Sequence, residues 1–237
     1  MSPIRSLTPT DAVVFDMDGI LIDSEPVWQQ VRITFAAEHG LMWTDAMHRA
    51  AMGCNTAGWS RVMVEHMGLR ERLGWDEATV AREIIGRLLA AFRAHLPLRA
   101  GAIESVHRLV AAGHRVALAS GSPQVLIDHV LQATGLDRVF EVTLYGDDVV
   151  HGKPAPDIYL AVLARLGVPP GRAVGVEDSA NGVRSLHAAG MGVIAAPGAD
   201  FPLTPEVLAL ADVVLDEMTA LDAVQVERAA QRAAARR

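Results

Sequence analysis

Short runs of apolar residues that end abruptly at polar or turn-forming residues recur along the chain. The clearest run, residues 12–15, stops at Asp16. A continuous apolar run of this length is typical of a strand that is buried on both faces of a parallel sheet. Five more runs predict strands, the last of them at an edge of the sheet: 115–119, 141–145, 173–176, 191–196 and 212–215.

Segments with apolar residues at three- to four-residue spacing lie between these runs. That spacing places the apolar side chains on one face of a helix. Each segment is followed at once by a glycine, a residue favoured just past the last helical turn. The segments that predict helices in this way are 101–112, 123–134, 156–166 and 179–189. Alternating strands and helices predict an α/β fold with a Rossmann-like, doubly wound parallel sheet.

The alternation stops between the first and second predicted strands, where only helical patterns occur. These patterns are 26–39, 56–67 and 76–95. All four tryptophans of the chain also fall here. We therefore expect an inserted helical cap domain at 25–96, set above the carboxyl edge of the sheet, and an α/β core formed by 1–24 and 97–237. The Ala- and Arg-rich segment 228–237 predicts a solvated helix end.

Composition and charge narrow the possible functions. Of the 237 residues 51% are hydrophobic, which is enough for a substantial core. With 21 basic and 28 acidic residues the net charge is −7, which argues against binding to nucleic acid.

The single cysteine, Cys54, excludes an intrachain disulfide and a cysteine-rich zinc site. No apolar run approaches the ~18 residues of a membrane span, and residues 1–10 lack the apolar segment of a secretory signal. We therefore expect a cytoplasmic protein with no membrane partner.

Polar residues follow most of the predicted strands, at the sheet edge where open α/β sheets bind their ligands. These residues are Asp16, Asp18, Ser120, Lys153, Glu177 and Asp178. Carboxylates gathered in one crevice repel one another unless a hard cation lies among them, and oxygen ligands suit Mg²⁺. A metal ion, a lysine and a free carboxylate are the components of phosphoryl transfer through an aspartyl-phosphate.

The chemistry of these side chains indicates a division of labour. Asp16 needs no base to become a nucleophile, because a free aspartate has a pKa of ~3.9. Its approach to an anionic phosphate would be eased by Mg²⁺ and Lys153. Asp18, an acid beside another acid, is expected to have a raised pKa and to transfer protons. The Ser120 hydroxyl and the exposed backbone at Gly121 would bind phosphoryl oxygens at a helix N-terminus.

Four segments resemble, in order, the four motifs of the haloacid dehalogenase-like hydrolase superfamily: FDMDGILIDSEPVW, LASGSP, GKPAPDIYL and GVEDSANGV. They are most similar to the subfamily with a helical cap after the first motif. That subfamily includes β-phosphoglucomutase, phosphoglycolate phosphatase and sugar phosphatases. The resemblance covers the chain except for roughly the first ten and the last twenty residues.

The resemblance implies a role for each matched residue. Asp16 would become phosphorylated and Asp18 would act as the acid and base. Ser120 and Lys153 would hold the phosphoryl group. The implied Mg²⁺ ligands are Asp16, the backbone carbonyl of Asp18, Asp178, and Glu177 either directly or through water. Ser122 is expected to be the N-cap of the following helix rather than a phosphate ligand.

Two features separate the chain from the mutases of this subfamily. Mutases have a histidine twelve residues after the nucleophile, and this chain has Trp28 there. They also have an arginine shortly after a glycine of the cap, whereas here no arginine follows Gly53 until Arg61. We therefore expect a Mg²⁺-dependent phosphatase that acts on small phosphorylated metabolites, such as sugar phosphates, as a monomer. Trp28 and Trp59 are expected mainly in the core of the cap.

Three alternatives remain open at this point. A phosphosugar mutase would use the same aspartyl-phosphate but release little phosphate. An enzyme similar to phosphoglycolate phosphatase would differ only in substrate. A non-enzymatic receiver of phosphoryl groups fits least, since receivers are about half this length, have no helical cap, and carry the phosphorylated aspartate on a later strand.

Overall fold

A six-stranded parallel sheet forms the centre of the protein, whose computed structural model describes residues 10–199 and 201–236. The strands are β1 (Ala12–Phe15), β2 (Arg115–Ala119), β3 (Val142–Leu144), β4 (Ala173–Glu177), β5 (Gly192–Ala195) and β6 (Val213–Val214). Their order in the sheet is β3-β2-β1-β4-β5-β6. The chain reverses its direction across the sheet beside β1, which is where doubly wound sheets bind ligands.

Burial on both faces explains the continuous apolar character of the strands. In β1, Val13 and Phe15 belong to one hydrophobic cluster, and Ala12 and Val14 belong to the other. Because both faces of the strand are covered by helices, neither alternate position can be polar. The predicted fold class and all six predicted strands are confirmed, and β6 lies at an edge as expected.

Six helices lie between β1 and β2, and we call the first five of them the helical insertion. They are α1 (Glu25–Glu38), α2 (Asp45–Ala51), α3 (Thr56–Met67), α4 (Leu69–Leu73) and α5 (Glu77–Ala94). The sequence predicted α1, α3 and α5 but not α2 and α4. These two are only seven and five residues long, too short for a helical period to stand out. The domain division at 25 and 96 stays a prediction.

The remaining helices cover the sheet. They are α6 (Ala102–Ala111), α7 (Gln124–Thr134), α8 (Asp157–Leu166), α9 (Ala180–Ala188), α10 (Pro205–Leu208) and α11 (Ala223–Arg236). Short 3₁₀ helices occur at Leu136–Arg138, Gly146–Asp148, Pro170–Arg172 and Met218–Ala220. Within the described residues, no helix is both long enough and apolar enough to span a bilayer.

The C-terminal helix corrects one expectation. Within the described residues, 228–236 are not simply a solvated helix end, since α11 packs against the sheet; residue 237 lies outside the described residues. Ala229 and Ala233 are buried, and the Arg236 guanidinium donates hydrogen bonds to the carboxylate of Asp212 and the carbonyl of Met191. Alanines spaced four residues apart let the helix approach the strands closely, which the low complexity of the segment concealed.

Candidate active site

The turn after β1 brings two acids to the carboxyl edge of the sheet. Asp16 follows β1 directly, and its backbone N–H still bonds to the carbonyl of Val176 on β4 at 3.1 Å. Gly19 then turns the chain with a φ of 70°. A Cβ at Gly19 would lie 1.9 Å from Oδ2 of Asp178, so glycine is required both by the backbone conformation and by the neighbouring carboxylate.

Lys153, the only lysine in the chain, lies in the middle of the acidic residues. Its Nζ is 3.0 Å from Oδ1 of Asp16, 2.6 Å from Oε1 of Glu177 and 3.3 Å from the carbonyl oxygen of Ala119. An ammonium has three donors in a compact head group, and three oxygens surround it here. Burial lowers the pKa of Lys153, but the carboxylates of Asp16 and Glu177 outweigh it and raise the pKa overall.

Glu177 is fully buried and is saturated with hydrogen bonds. Its Oε1 accepts from Lys153 and, at 2.6 Å, from the hydroxyl of Tyr159. Its Oε2 accepts from the Ser179 hydroxyl and from the backbone N–H groups of Asp178 and Ser179. Sequence reasoning missed Tyr159, because an aromatic residue on the apolar stripe of α8 is indistinguishable from a core residue.

Asp16, Glu177 and Asp178 together form a group that fits a metal ion. One carboxylate oxygen from each lies within 4.8 Å of the others. Oδ1 of Asp16 is buried, and among the described residues only the Lys153 ammonium approaches it. In the same part of the chain no donor reaches the carboxylate of Asp178. Unpaired, buried carboxylate oxygens are ligands suited to a hard cation.

Burial also affects the protonation of these acids. It raises the pKa of Asp16 to about 8 against the opposing charge of Lys153. It raises the pKa of Asp178 well above the ordinary value, and the nearby carboxylates of Glu177 and Asp16 add to the effect. A cation bound among the acids would stabilise their ionised forms and reverse these shifts.

Asp18 points away from this group and into a separate set of donors. Its Oδ1 accepts hydrogen bonds from the Ser24 hydroxyl at 2.5 Å and from Nε1 of Trp28 at 3.2 Å. Its Oδ2 accepts from the hydroxyls of Ser122 at 2.5 Å and Ser120 at 3.4 Å. Burial raises the pKa of Asp18 in spite of these hydrogen bonds, which lower it. Asp18 is therefore suited to carrying a proton.

The structure corrects the expectation for Ser122. The N-cap of α7 is Pro123, and the Ser122 side chain makes no capping hydrogen bond. Its hydroxyl instead donates to Asp18, and its backbone N–H bonds to the Ser120 hydroxyl at 3.1 Å. The roles of Ser24 and Trp28 were also missed from the sequence, since both lie at the start of a helix where they resemble capping and core residues.

A small cavity connects the sheet edge with the helical insertion. Asp16, Asp18, Ser120, Gly121 and Lys153 line one side of it, and helices α1 and α3 of the insertion line the other. Its volume is about 30 Å³, room for about two water molecules and too little for a sugar.

The loop between α2 and α3 closes the cavity. Nδ2 of Asn181 donates to the carbonyl of Met52 at 3.0 Å, and a Cβ at Gly121 would lie 3.1 Å from the carbonyl oxygen of Cys54. Gly121 thus permits close backbone approach, here toward the insertion. Asp16 and Lys153 are buried beneath the insertion, 5% and 4% exposed, respectively.

A side chain outside the motifs holds the β1 turn in place. The Arg99 guanidinium donates to the carbonyls of Gly19, Ala196 and Pro197. It thereby ties the turn after β1 to the end of β5. Arg99 lies just past the insertion, in a segment without any recognisable pattern, and nothing in the sequence signalled this role.

Comparison with known proteins agrees with this geometry. The model of haloacid dehalogenase-like hydrolases matches residues 10–190. Hexitol phosphatase B of Escherichia coli K12 is 34% identical, over 90% of this chain and 94% of the relative. A phosphorylated carbohydrates phosphatase of Thermotoga maritima is 33% identical, over 76% of this chain and 82% of the relative.

A solved structure extends the agreement to three dimensions. The crystal structure of CbbY from Rhodobacter sphaeroides in complex with phosphate has a TM-score of 0.79 and 28% identity, covering 90% of this chain and 96% of CbbY. The match of the family model over most of the chain, together with these relatives, confirms the resemblance drawn from the four motifs. The chain belongs to the haloacid dehalogenase-like hydrolases.

Proposed function

We propose that the protein is a Mg²⁺-dependent phosphatase of small phosphorylated sugars that works through an aspartyl-phosphate on Asp16. The observation that carries the proposal is the position of Asp16. Its carboxylate lies 3.0 Å from Lys153 and within 4.8 Å of Glu177 and Asp178, at the inner end of the closed cavity. A nucleophile, a fixed positive charge and a candidate metal site thus meet at one point.

The residues suited to hold the ion are Asp16 and Asp178, supported by Glu177. Glu177 already accepts five hydrogen bonds, which favours a role in positioning Lys153 over direct ligation. The ion, when bound, would neutralise the repulsion between the Asp16 carboxylate and the phosphoryl oxygens.

The two aspartates divide the reaction between them. The Asp16 carboxylate attacks phosphorus while the bond from phosphorus to the leaving oxygen breaks. Asp18 donates its proton to that oxygen, so that the alcohol leaves neutral. Asp18 then takes a proton from the attacking water, which releases phosphate and restores Asp16. The raised pKa of Asp18 supports the first transfer.

The remaining residues position the phosphoryl group and exclude bulk water. Lys153 compensates negative charge on the phosphoryl oxygens, and the Ser120 hydroxyl and the Gly121 backbone lie beside the same cavity. Since the cavity cannot admit a sugar, the helical insertion opens for binding and closes again for the reaction.

The substrate class is supported by the relatives, two of which are named as phosphatases of hexitols and phosphorylated carbohydrates. Trp28 favours a phosphatase over a mutase. Its indole donates to Asp18 and fills the position at which mutases of this subfamily have a histidine.

A panel of phosphate esters tests the proposal. The purified protein with Mg²⁺ should release phosphate from sugar or hexitol monophosphates, and chelation of the metal should stop the reaction. Failure of the folded protein to release phosphate from any ester would contradict the proposal. Net isomerisation that is activated by a sugar bisphosphate, with little phosphate released, would assign the chain to the mutases instead.

A further inference from the structure

A buried arginine in the helical insertion is surrounded by tryptophans. Arg32 of α1 is 2% exposed. Its guanidinium carbon lies 4.4 Å from the ring centroid of Trp28, 5.3 Å from that of Trp43 and 5.7 Å from that of Trp59. The aromatic faces attract the cation and restrict its orientation.

The hydrogen-bonding capacity of this guanidinium is unused. Its Nε is buried without a partner, and in the part of the chain that the structure describes no residue accepts a hydrogen bond from any of its nitrogens. A guanidinium has five N–H donors, and buried donors are normally paired. Arg32 lines the same cavity as Asp16 and Lys153. A molecule that reacts at Asp16 would therefore lie close to Arg32.

A carboxylate in the same cavity wall offsets the charge of Arg32. Glu25 is buried, and its Oε2 lies 3.2 Å from Nε2 of His48 but accepts no hydrogen bond within the described residues. Burial lowers the pKa of Arg32 to about 10 and Glu25 opposes the shift, so that Arg32 is charged at neutral pH. This wall of the cavity therefore offers unpaired donors, an unpaired acceptor and aromatic surface, with little net charge.

We propose that Arg32 is a specificity-determining residue that binds hydroxyl groups of the leaving group, and that the site selects a neutral polyhydroxylated alcohol over one with a second anionic group. The inference rests on the proposed phosphatase function. Hydroxyl groups donate and accept together, as Arg32 and Glu25 require. The charge of Arg32 is already offset by Glu25 and Asp18, and these two carboxylates would repel a second phosphate or carboxylate.

The wild-type enzyme provides the first test. We compare kcat/KM for a hexitol monophosphate, a straight-chain alkyl phosphate of equal length and a sugar bisphosphate. We expect the hexitol phosphate to exceed each of the others by about 100-fold, because a site built for hydroxyl groups rejects analogues that leave it unpaired. Equal values within about threefold, or a preference for the bisphosphate, would overturn the inference.

A variant separates binding from packing. Arg32→Met keeps the length and the apolar contacts of the side chain, and Arg61→Met is its control on the exposed face of α3. We expect Arg32→Met to reduce the advantage of hexitol phosphate over alkyl phosphate by at least about tenfold, mainly through KM, and Arg61→Met to preserve it. An unchanged advantage in a folded Arg32→Met enzyme would overturn the inference.

The two proposals fail in different ways. If the wild-type enzyme hydrolyses no phosphate ester, the proposed function itself is wrong. If it hydrolyses alkyl and hexitol phosphates equally, only the assignment of Arg32 is wrong. Should Arg32→Met fail to fold, as judged by circular dichroism, the comparison of substrates with the wild-type enzyme still decides.

Discussion

Two walls enclose the cavity, and they present different polar groups to it. On the wall formed by the sheet edge, Oδ1 of Asp16 is paired only with the Lys153 ammonium among the described residues, and none of them donates a hydrogen bond to the carboxylate of Asp178. On the wall formed by the helical insertion, the guanidinium Nε of Arg32 and Oε2 of Glu25 have no hydrogen-bond partner among the same residues. The first wall is suited to a cation and a phosphoryl group, and the second to the hydroxyl groups of an alcohol.

The difference shows how one fold can keep the reacting groups at the sheet edge while a separate part of the chain contacts the rest of the substrate. The sheet edge holds Lys153 and Glu177 in a saturated network, which fixes the reacting groups before the substrate arrives. The insertion contributes aromatic surface and two polar groups, Arg32 and Glu25, whose Nε and Oε2 atoms have no hydrogen-bond partner among the described residues. Three substitutions and one measurement of metal affinity test whether the two walls act independently. They are given from the largest expected effect to the smallest.

Removal of the proposed nucleophile should have the largest effect. Asp16→Asn should lower kcat by about 10⁴-fold or more, since an amide cannot form the covalent intermediate. The control is Asp137→Asn, which replaces an exposed aspartate and should leave steady-state rates unchanged. Normal turnover by Asp16→Asn would show that another residue attacks phosphorus.

Replacement of the only lysine should damage both chemistry and stability. Lys153→Met removes the positive charge that pairs with Asp16 and Glu177, so we expect kcat/KM to fall by about 10²–10³-fold and the free energy of unfolding to fall by about 3 kcal/mol. Urea denaturation of the metal-free protein measures the second quantity. Arg138→Met, at a fully exposed site, should change it by less than about 0.5 kcal/mol. Equal stability of the two variants would argue against the buried network.

Metal affinity should depend on pH. Because burial raises the pKa of Asp16 to about 8, a proton must leave before a cation can bind, and the apparent affinity should rise by up to about tenfold per pH unit between pH 6 and 8. The raised pKa also means that the contribution of Asp16 to the stability of the metal-free protein is fully present below pH ~4 and is lost as the pH rises to about 8. The increase in melting temperature that Mg²⁺ causes should therefore become larger as the pH rises from 6 to 8. A shift independent of pH would contradict the assignment.

Loss of the hydrogen bond from Trp28 to Asp18, which joins the two walls, should have the smallest effect on turnover. Trp28→Phe removes the indole donor to Asp18 but retains an aromatic side chain, so kcat should fall about five- to tenfold. The lost hydrogen bond lowers the pKa of Asp18 in the native enzyme, and the limb of the pH profile that reports Asp18 should move to higher pH. Trp75→Phe, away from the cavity, is the control. Identical profiles for both variants would remove Trp28 from the account.

The sheet wall could be predicted from the sequence because position along a parallel strand determines position in space. Asp16, Ser120 and Asp178 each follow a strand, and parallel strands place their carboxyl ends at one edge. The predicted family is confirmed, while the role of each site residue stays a prediction.

The insertion wall could not be predicted in this way. Trp28 and Arg32 lie on α1, where burial and helical spacing are typical of a packed core, and their approach to Asp18 depends on how the insertion closes. Tyr159 was concealed for the same reason on α8. Tertiary packing, rather than local pattern, places these residues, and one sequence contains no measure of it.

Location of the phosphoryl group on the enzyme tests the central claim most directly. Asp18→Asn should still form the intermediate from a substrate with a good leaving group but release it slowly. Acid quenching followed by mass spectrometry of the digested protein should then show phosphorylation on the peptide that contains Asp16. Two results would contradict the account, provided that the wild-type enzyme turns over the substrate. One is the absence of phosphorylated Asp16 from the quenched Asp18→Asn variant, and the other is phosphorylation of another residue.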